Sequence, residues 1–340
     1  MVGFKINRER DLPLRFAMSE AWKAAGRQAL ATAGTALVIG ALHVPQPFLA
    51  VLAAQVTAGI CFSNAGGFSH RLAGVWIGTL VGAILFAIAP EQPWISLPLF
   101  GLAATFGPKI FHQRGGPSSA VLFLMALAGM FVAGGVDPRL GLISGMAHAI
   151  SLTVAVMMTF LVSRLFPVGE GTPPRFSGGW VGISGILALI VSRATMPDSA
   201  IVATIAGMTM AFSLSPEAPP VLAKLVGGVF GVVISVGFIV VVAGSGNDLG
   251  VFLGGLGLSL GAFEWCAITF KKYGVGIRQA AAMFSSAVTM LPRPVDSIGS
   301  SGQRMSAVIL GLVIGGLVAV VSRSWRPEVK EAMEPTVRGS

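Results

Sequence analysis

Apolar residues occupy long, nearly unbroken blocks along the chain, separated by short groups of Gly, Pro and charged residues. Blocks of that length read as helices able to cross about 30 Å of hydrocarbon. In the first half they fall near 28–44, 46–63, 71–89, 94–111, 117–135 and 140–165. In the second half they fall near 178–194, 198–214, 221–243, 248–270, 274–292 and 304–323. The pattern predicts an all-α polytopic membrane protein of about twelve transmembrane helices.

The two sets of six echo each other. Arg71-Leu72-Ala73-Gly74-Val75-Trp76-Ile77-Gly78 returns 153 positions later as Lys224-Leu225-Val226-Gly227-Gly228-Val229-Phe230-Gly231, with a cation and two glycines at the same spacing. Val162-Ser163-Arg164 and Val321-Ser322-Arg323 likewise close a block in each half. An even number of spans per repeat predicts two six-helix units of the same orientation, an arrangement common in transporters. The expected layout is a basic cytoplasmic segment (1–27), a first repeat (28–166), a Gly- and Pro-rich cytoplasmic linker (167–177), a second repeat (178–323) and a cytoplasmic tail (324–340).

Composition supplies the solvent. With 54% hydrophobic and only 11% charged residues, and a mean hydropathy of +0.81, a water-soluble core of this length could not hide the apolar surface, so the lipid bilayer is the expected partner. The net charge of +9 does not point to nucleic acid, because the cations form no stripe interleaved with aromatics. Topology accounts for them: with the N-terminus inside, all of the 23 Lys and Arg except Arg139, Arg193, Arg293 and Arg304 fall on cytoplasmic segments. Both termini are therefore expected in the cytoplasm. Cys61 and Cys266, the two cysteines, lie in apolar blocks and support neither a disulfide framework nor a metal cluster.

Small residues at four-residue spacing mark helix faces that pack closely. Gly74, Gly78 and Gly82 form one such stripe, Gly227 and Gly231 its counterpart, and Gly257/Gly261 and Gly311/Gly315 two more. Polar residues inside the apolar blocks are costlier and mark candidate chemistry. Arg71 and Lys224, at the cytoplasmic start of matching spans, either recruit an anion or anchor a helix at the headgroups. Glu264 is the one carboxylate in the interior of a block; it lies seven residues before Lys271 and Arg278 lies seven after. Both then sit about 10 Å from the turn, so an ion pair across that hairpin is expected. His148, well inside the sixth block, is either a proton-coupling group or a neutral structural histidine, and Gln55 is either an interhelical hydrogen-bonding group or part of a pore lining.

No phosphate-binding loop, His-Glu-x-x-His helix or Asp-rich run occurs, so neither a cofactor nor an enzymatic activity is expected. The segment from Pro47 to Gly82, carrying Gln55, Arg71, Gly74, Gly78, Thr79 and Gly82, with the echo at Lys224, Gly227 and Gly231, resembles the fusaric acid resistance (FUSC) family, which includes aromatic acid exporters. The resemblance implies proton-driven export of small organic, often aromatic, carboxylic acids across a bacterial inner membrane, with a periplasmic adaptor protein as a partner. Members often carry a cytoplasmic domain after each membrane half, and neither is found here, which leaves regulation and homo-oligomer contacts open. A passive anion channel and a non-transporting scaffold are the alternatives.

Overall fold

The computed structural model describes residues 8–44, 48–59, 65–89, 92–133, 138–166, 180–213, 221–246, 248–288 and 294–324. The expected linker at 167–177 and nearly all of the tail lie outside them. All regular structure among the described residues is helical: α1 (Arg8–Ala41), α2 (Phe48–Gly59), α3 (Ala65–Ile88), α4 (Pro93–Ala133), α5 (Pro138–Leu165), α6 (Val181–Thr195), α7 (Ala200–Ser213), α8 (Val221–Gly244), α9 (Leu249–Thr269), α10 (Gly274–Val288) and α11 (Pro294–Ser324). A 3-10 turn at Pro197–Ser199 leads into α7.

Six helices, α3, α4, α5, α8, α9 and α11, contain stretches long and apolar enough to cross a membrane. The blocks at 46–63, 178–194, 198–214 and 274–292 form shorter helices, of 12 residues for α2, 15 for α6, 14 for α7 and 15 for α10. At 1.5 Å per residue, α2 is only about 18 Å long. Hydropathy reports exclusion from water, and a helix enclosed by other helices is as apolar as one that faces lipid. α1 departs in the other sense: it is continuous from Arg8 across position 27, where the sequence placed a segment boundary.

α4 covers two predicted blocks. Gly116, with φ 76° and ψ −178°, interrupts its helical geometry, and glycine is the residue that adopts such a φ without strain. Pro117 then starts the second arm, a position that suits proline because the missing N–H would have no partner in a first turn. The arms fold back on each other, stacking Phe111 on Phe123 with ring centroids 5.1 Å apart. Counting the arms separately, the helical segments follow the twelve predicted blocks in order.

The second arm of α4 is buried along its whole length from Pro117 to Val132. The most apolar window of α4 is 89% buried, against 28% for α8, so the second arm lies at the centre and α8 at the apolar periphery. The glycine stripes are packing faces, as their spacing predicts. α3 lies on the second arm of α4, where a Cβ on Gly78 would come 2.6 Å from the Phe123 carbonyl oxygen and 3.1 Å from Ala126 Cβ. Gly74 and Gly82 meet the Ser119 and Leu127 carbonyls in the same way, each at 2.8 Å. α8 lies on α10 through Gly227 against Gly276 and Gly231 against Ala280. α9 packs on α1 through Gly257 and Gly261, and α11 packs on α7 through Gly311 and Gly315.

These contacts fix the sign of a substitution. Gly→Ala in an open helix position gains up to about 1 kcal/mol from propensity. Gly237→Ala on α8, where an added Cβ meets nothing within 4 Å, is expected to raise the thermal unfolding midpoint. Gly78→Ala forces a methyl against backbone that cannot step aside, and should cost about 1–3 kcal/mol. Thermal unfolding of the two variants in detergent checks this; equal shifts would mean that α3 does not seat on α4 as described.

Candidate functional site

The polar residues of the apolar blocks do not gather at one point. Two cations, Arg27 and Arg71, occupy the end of the bundle where α1, α2, α3 and α5 meet, as Gly26 against Phe166 and Phe68 against Phe160 show. There Arg27 of α1 donates from Nε to the Ala58 carbonyl near the C-terminus of α2, at 2.9 Å. A cation is favoured at that position by the unpaired carbonyls of a helix end. Arg27 is 2% exposed and Arg71, on α3, 3% exposed. The two guanidinium groups are close enough to repel each other. Lys224 is also buried, at the corresponding start of α8.

Arg27 was not singled out by sequence reasoning, which counted it only among the cytoplasmic cations. Its signal is weak because a cation just ahead of an apolar block is usually an anchor, and its carbonyl partner lies 31 positions away.

The ion pair expected across the α9–α10 hairpin is present. Arg278 grips Glu264 with two contacts, Nη2 to Oε1 at 2.8 Å and Nε to Oε2 at 3.2 Å. This fork geometry gives direction as well as charge. The Glu264 side chain is 7% exposed and that of Arg278 51%, so one end of the pair is enclosed and the other reaches the surface.

Gln55 joins the two halves of the chain. With its amide turned to satisfy both ends, Nε2 donates to Ser285 Oγ at 2.7 Å and to the Ala281 carbonyl at 3.3 Å, and Oε1 accepts from the Ala282 N–H at 3.0 Å. With the amide turned the other way, Ser285 donates to it over the same 2.7 Å. Of the two roles open to Gln55, interhelical hydrogen bonding is the one observed. Thr57, half a turn further on, meets Thr159 of α5 at 3.0 Å between hydroxyl oxygens.

His148 stands apart from the other candidates. It is 1% exposed on α5, with its ring against Gly129 of α4, and neither ring nitrogen has a hydrogen-bond partner among the described residues. No carbonyl among the described residues accepts a hydrogen bond from it. At the opposite end of the bundle Arg193 donates from Nη2 to the Val132 carbonyl at 2.6 Å, closing the C-terminus of α4.

Six long apolar helices and a buried central arm define a multi-pass helical membrane protein. No protein-family model matches the chain, and no curated protein or solved structure is similar to it.

Proposed function

We propose that this protein is an inner-membrane exporter of small organic acids, with aromatic carboxylates as the substrate class and the proton gradient as the driving force. The observation that carries the reading is the burial of two like charges side by side: Arg27 and Arg71 are 2% and 3% exposed among apolar helices. Two buried cations side by side make a positive field at this end of the bundle, which favours the approach of an anion. The resemblance to the fusaric acid resistance family supplies the substrate class, the bacterial inner membrane and the adaptor partner.

The proposed architecture is a duplicated six-helix unit, twelve helical segments in two repeats of the same orientation with both termini in the cytoplasm. Matching packing supports it. α3 lies on the second arm of α4 as α8 lies on α10, and α2 lies on α5 as α7 lies on α11. Gly257 of α9 sits against Ala29 and Ala33 of α1, and Gly101, on the first arm of α4, sits against Gly182 and Ile186 of α6, again 153 positions on in the partner helix. Between the halves, α2 touches α10 and α7 touches α4. A further sequence echo joins these: Pro47-x-x-Ala50-x-x-Ala53 recurs as Pro197-x-x-Ala200-x-x-Ala203. Short α2 and α7, enclosed by longer helices, resemble the discontinuous elements that build binding sites near the bilayer midplane of transporters.

Efflux from proteoliposomes with and without an imposed pH gradient tests the function, using benzoates, picolinates and aliphatic acids. Uphill, gradient-dependent efflux is expected. Downhill efflux alone would make the protein a passive anion channel, and none would make it a scaffold. In the exporter reading His148 is the proton-coupling group, so His148→Gln should flatten the pH dependence of efflux. An unchanged profile returns His148 to a packing role.

A further inference from the structure

The two halves differ in one respect that their shared packing makes visible. In the first half, both polar ends of Gln28, the Ser118 and Ser151 hydroxyls and both nitrogens of His148 are buried without a hydrogen-bond partner among the described residues. Among the described residues of the second half, most buried polar side chains are satisfied within the protein. Ser184 donates to the Gly207 carbonyl, Ser192 to Leu189, Thr204 to Ala200, Ser235 to Gly231 and Ser286 to Ala282. The exceptions among the described residues are the indole N–H of Trp265, at the Trp22 contact between α9 and α1, and Nη1 of an otherwise engaged Arg304.

Counterparts of the unsatisfied groups are apolar. Gln28 corresponds to Val181 by the offset of 153 that also relates Ala29 to Gly182 in equivalent contacts. His148 and Ser151 correspond to Ala307 and Leu310 by the offset relating the two Val-Ser-Arg sequences. Val181 and Ala307 are both 0% exposed.

The unsatisfied groups lie toward both ends of the bundle. α1 and α5 run antiparallel, with Gly26 at Phe166 and Gly34 at Met158, which brings Gln28 level with Arg164. His148 is then 16 residues further along α5, about 24 Å away, close to the full thickness of a hydrocarbon core of about 30 Å. A buried polar group without a protein partner is costly unless water or a polar ligand supplies the missing bond, and native proteins leave few of them.

We infer that the water-filled route of this protein runs through the first half alone, passing the levels of Gln28, Ser151 and His148, while the second half is a dry scaffold. The inference rests on the duplicated architecture proposed above. Its occupant is water, which supplies the missing hydrogen bonds and connects the Arg27–Arg71 end with the far side of the membrane.

Thiol accessibility tests it. In a background with Cys61 and Cys266 replaced by alanine, Gln28→Cys and Ser151→Cys are compared with Val181→Cys and Ala307→Cys in native membranes. The probe is a small charged methanethiosulfonate, which needs a hydrated thiolate. Gln28→Cys and Ser151→Cys should react faster by about tenfold or more. Equal rates at matched positions, or faster reaction in the second half, overturn the inference. Efflux from the parent background is measured separately. A labelling contrast without efflux would remove the transport reading and leave the one-sided route standing, whereas efflux without a contrast would do the reverse.

Discussion

Arg278→Ala is expected to destabilise the protein far more than Glu264→Ala, although the two residues share one ion pair. Removing Arg278 strands a carboxylate whose side chain is 7% exposed, and leaving a buried charge without its partner costs about 3–5 kcal/mol. Removing Glu264 leaves a guanidinium that is 51% exposed and can turn to water or headgroups, so its loss should cost about 1 kcal/mol, as for a surface pair. The double variant has no stranded charge and should fall close to Glu264→Ala. Unfolding midpoints of the three variants in lipid nanodiscs measure the cycle. Equal single effects that add in the double variant would show that the pair is not formed, and Glu264 would become a candidate for an independent proton site.

The second large effect is expected on transport. Arg71→Ala removes one of two buried guanidinium groups proposed to meet the substrate carboxylate. A charge-assisted hydrogen bond contributes about 1.5–3 kcal/mol, so the apparent substrate affinity should fall by about ten- to hundredfold. Arg27→Ala should act in the same direction. Arg71→Lys should recover part of the loss because charge is retained and the two-pronged geometry is not. The informative quantity is KM for carboxylate efflux at saturating gradient. Substitutions that lower the amount of folded protein and leave KM unaltered would assign both cations to anchoring.

Local relations were legible in the sequence. Glu264 and Arg278 flank one turn at equal spacing, and the 1.5 Å rise of a helix turns equal spacing into equal depth, so their contact could be read without any tertiary knowledge. The glycine stripes were legible for a similar reason: four-residue spacing puts small residues on one face, and close helix contact is what such a face permits. Which helix each stripe meets was not legible. α3 and α8, matched by sequence, do not pack on each other but on the second arm of α4 and on α10.

By itself, then, the sequence determined that the chain is helical and apolar enough to be membrane-embedded, and the order of its helical segments. Those properties follow from hydropathy, propensity and spacing, which act over a few turns. Tertiary structure decided which apolar helices are enclosed and which face lipid, because both environments exclude water and leave the same signature in composition. It also decided the contacts of Gln55, Arg27 and His148. Gln55 meets Ser285 from 230 positions away, Arg27 meets Ala58 from 31, and His148 meets Gly129 without a polar partner among the described residues. Whether a buried polar side chain is satisfied depends on atoms brought close by folding, and sequence distance carries no record of them.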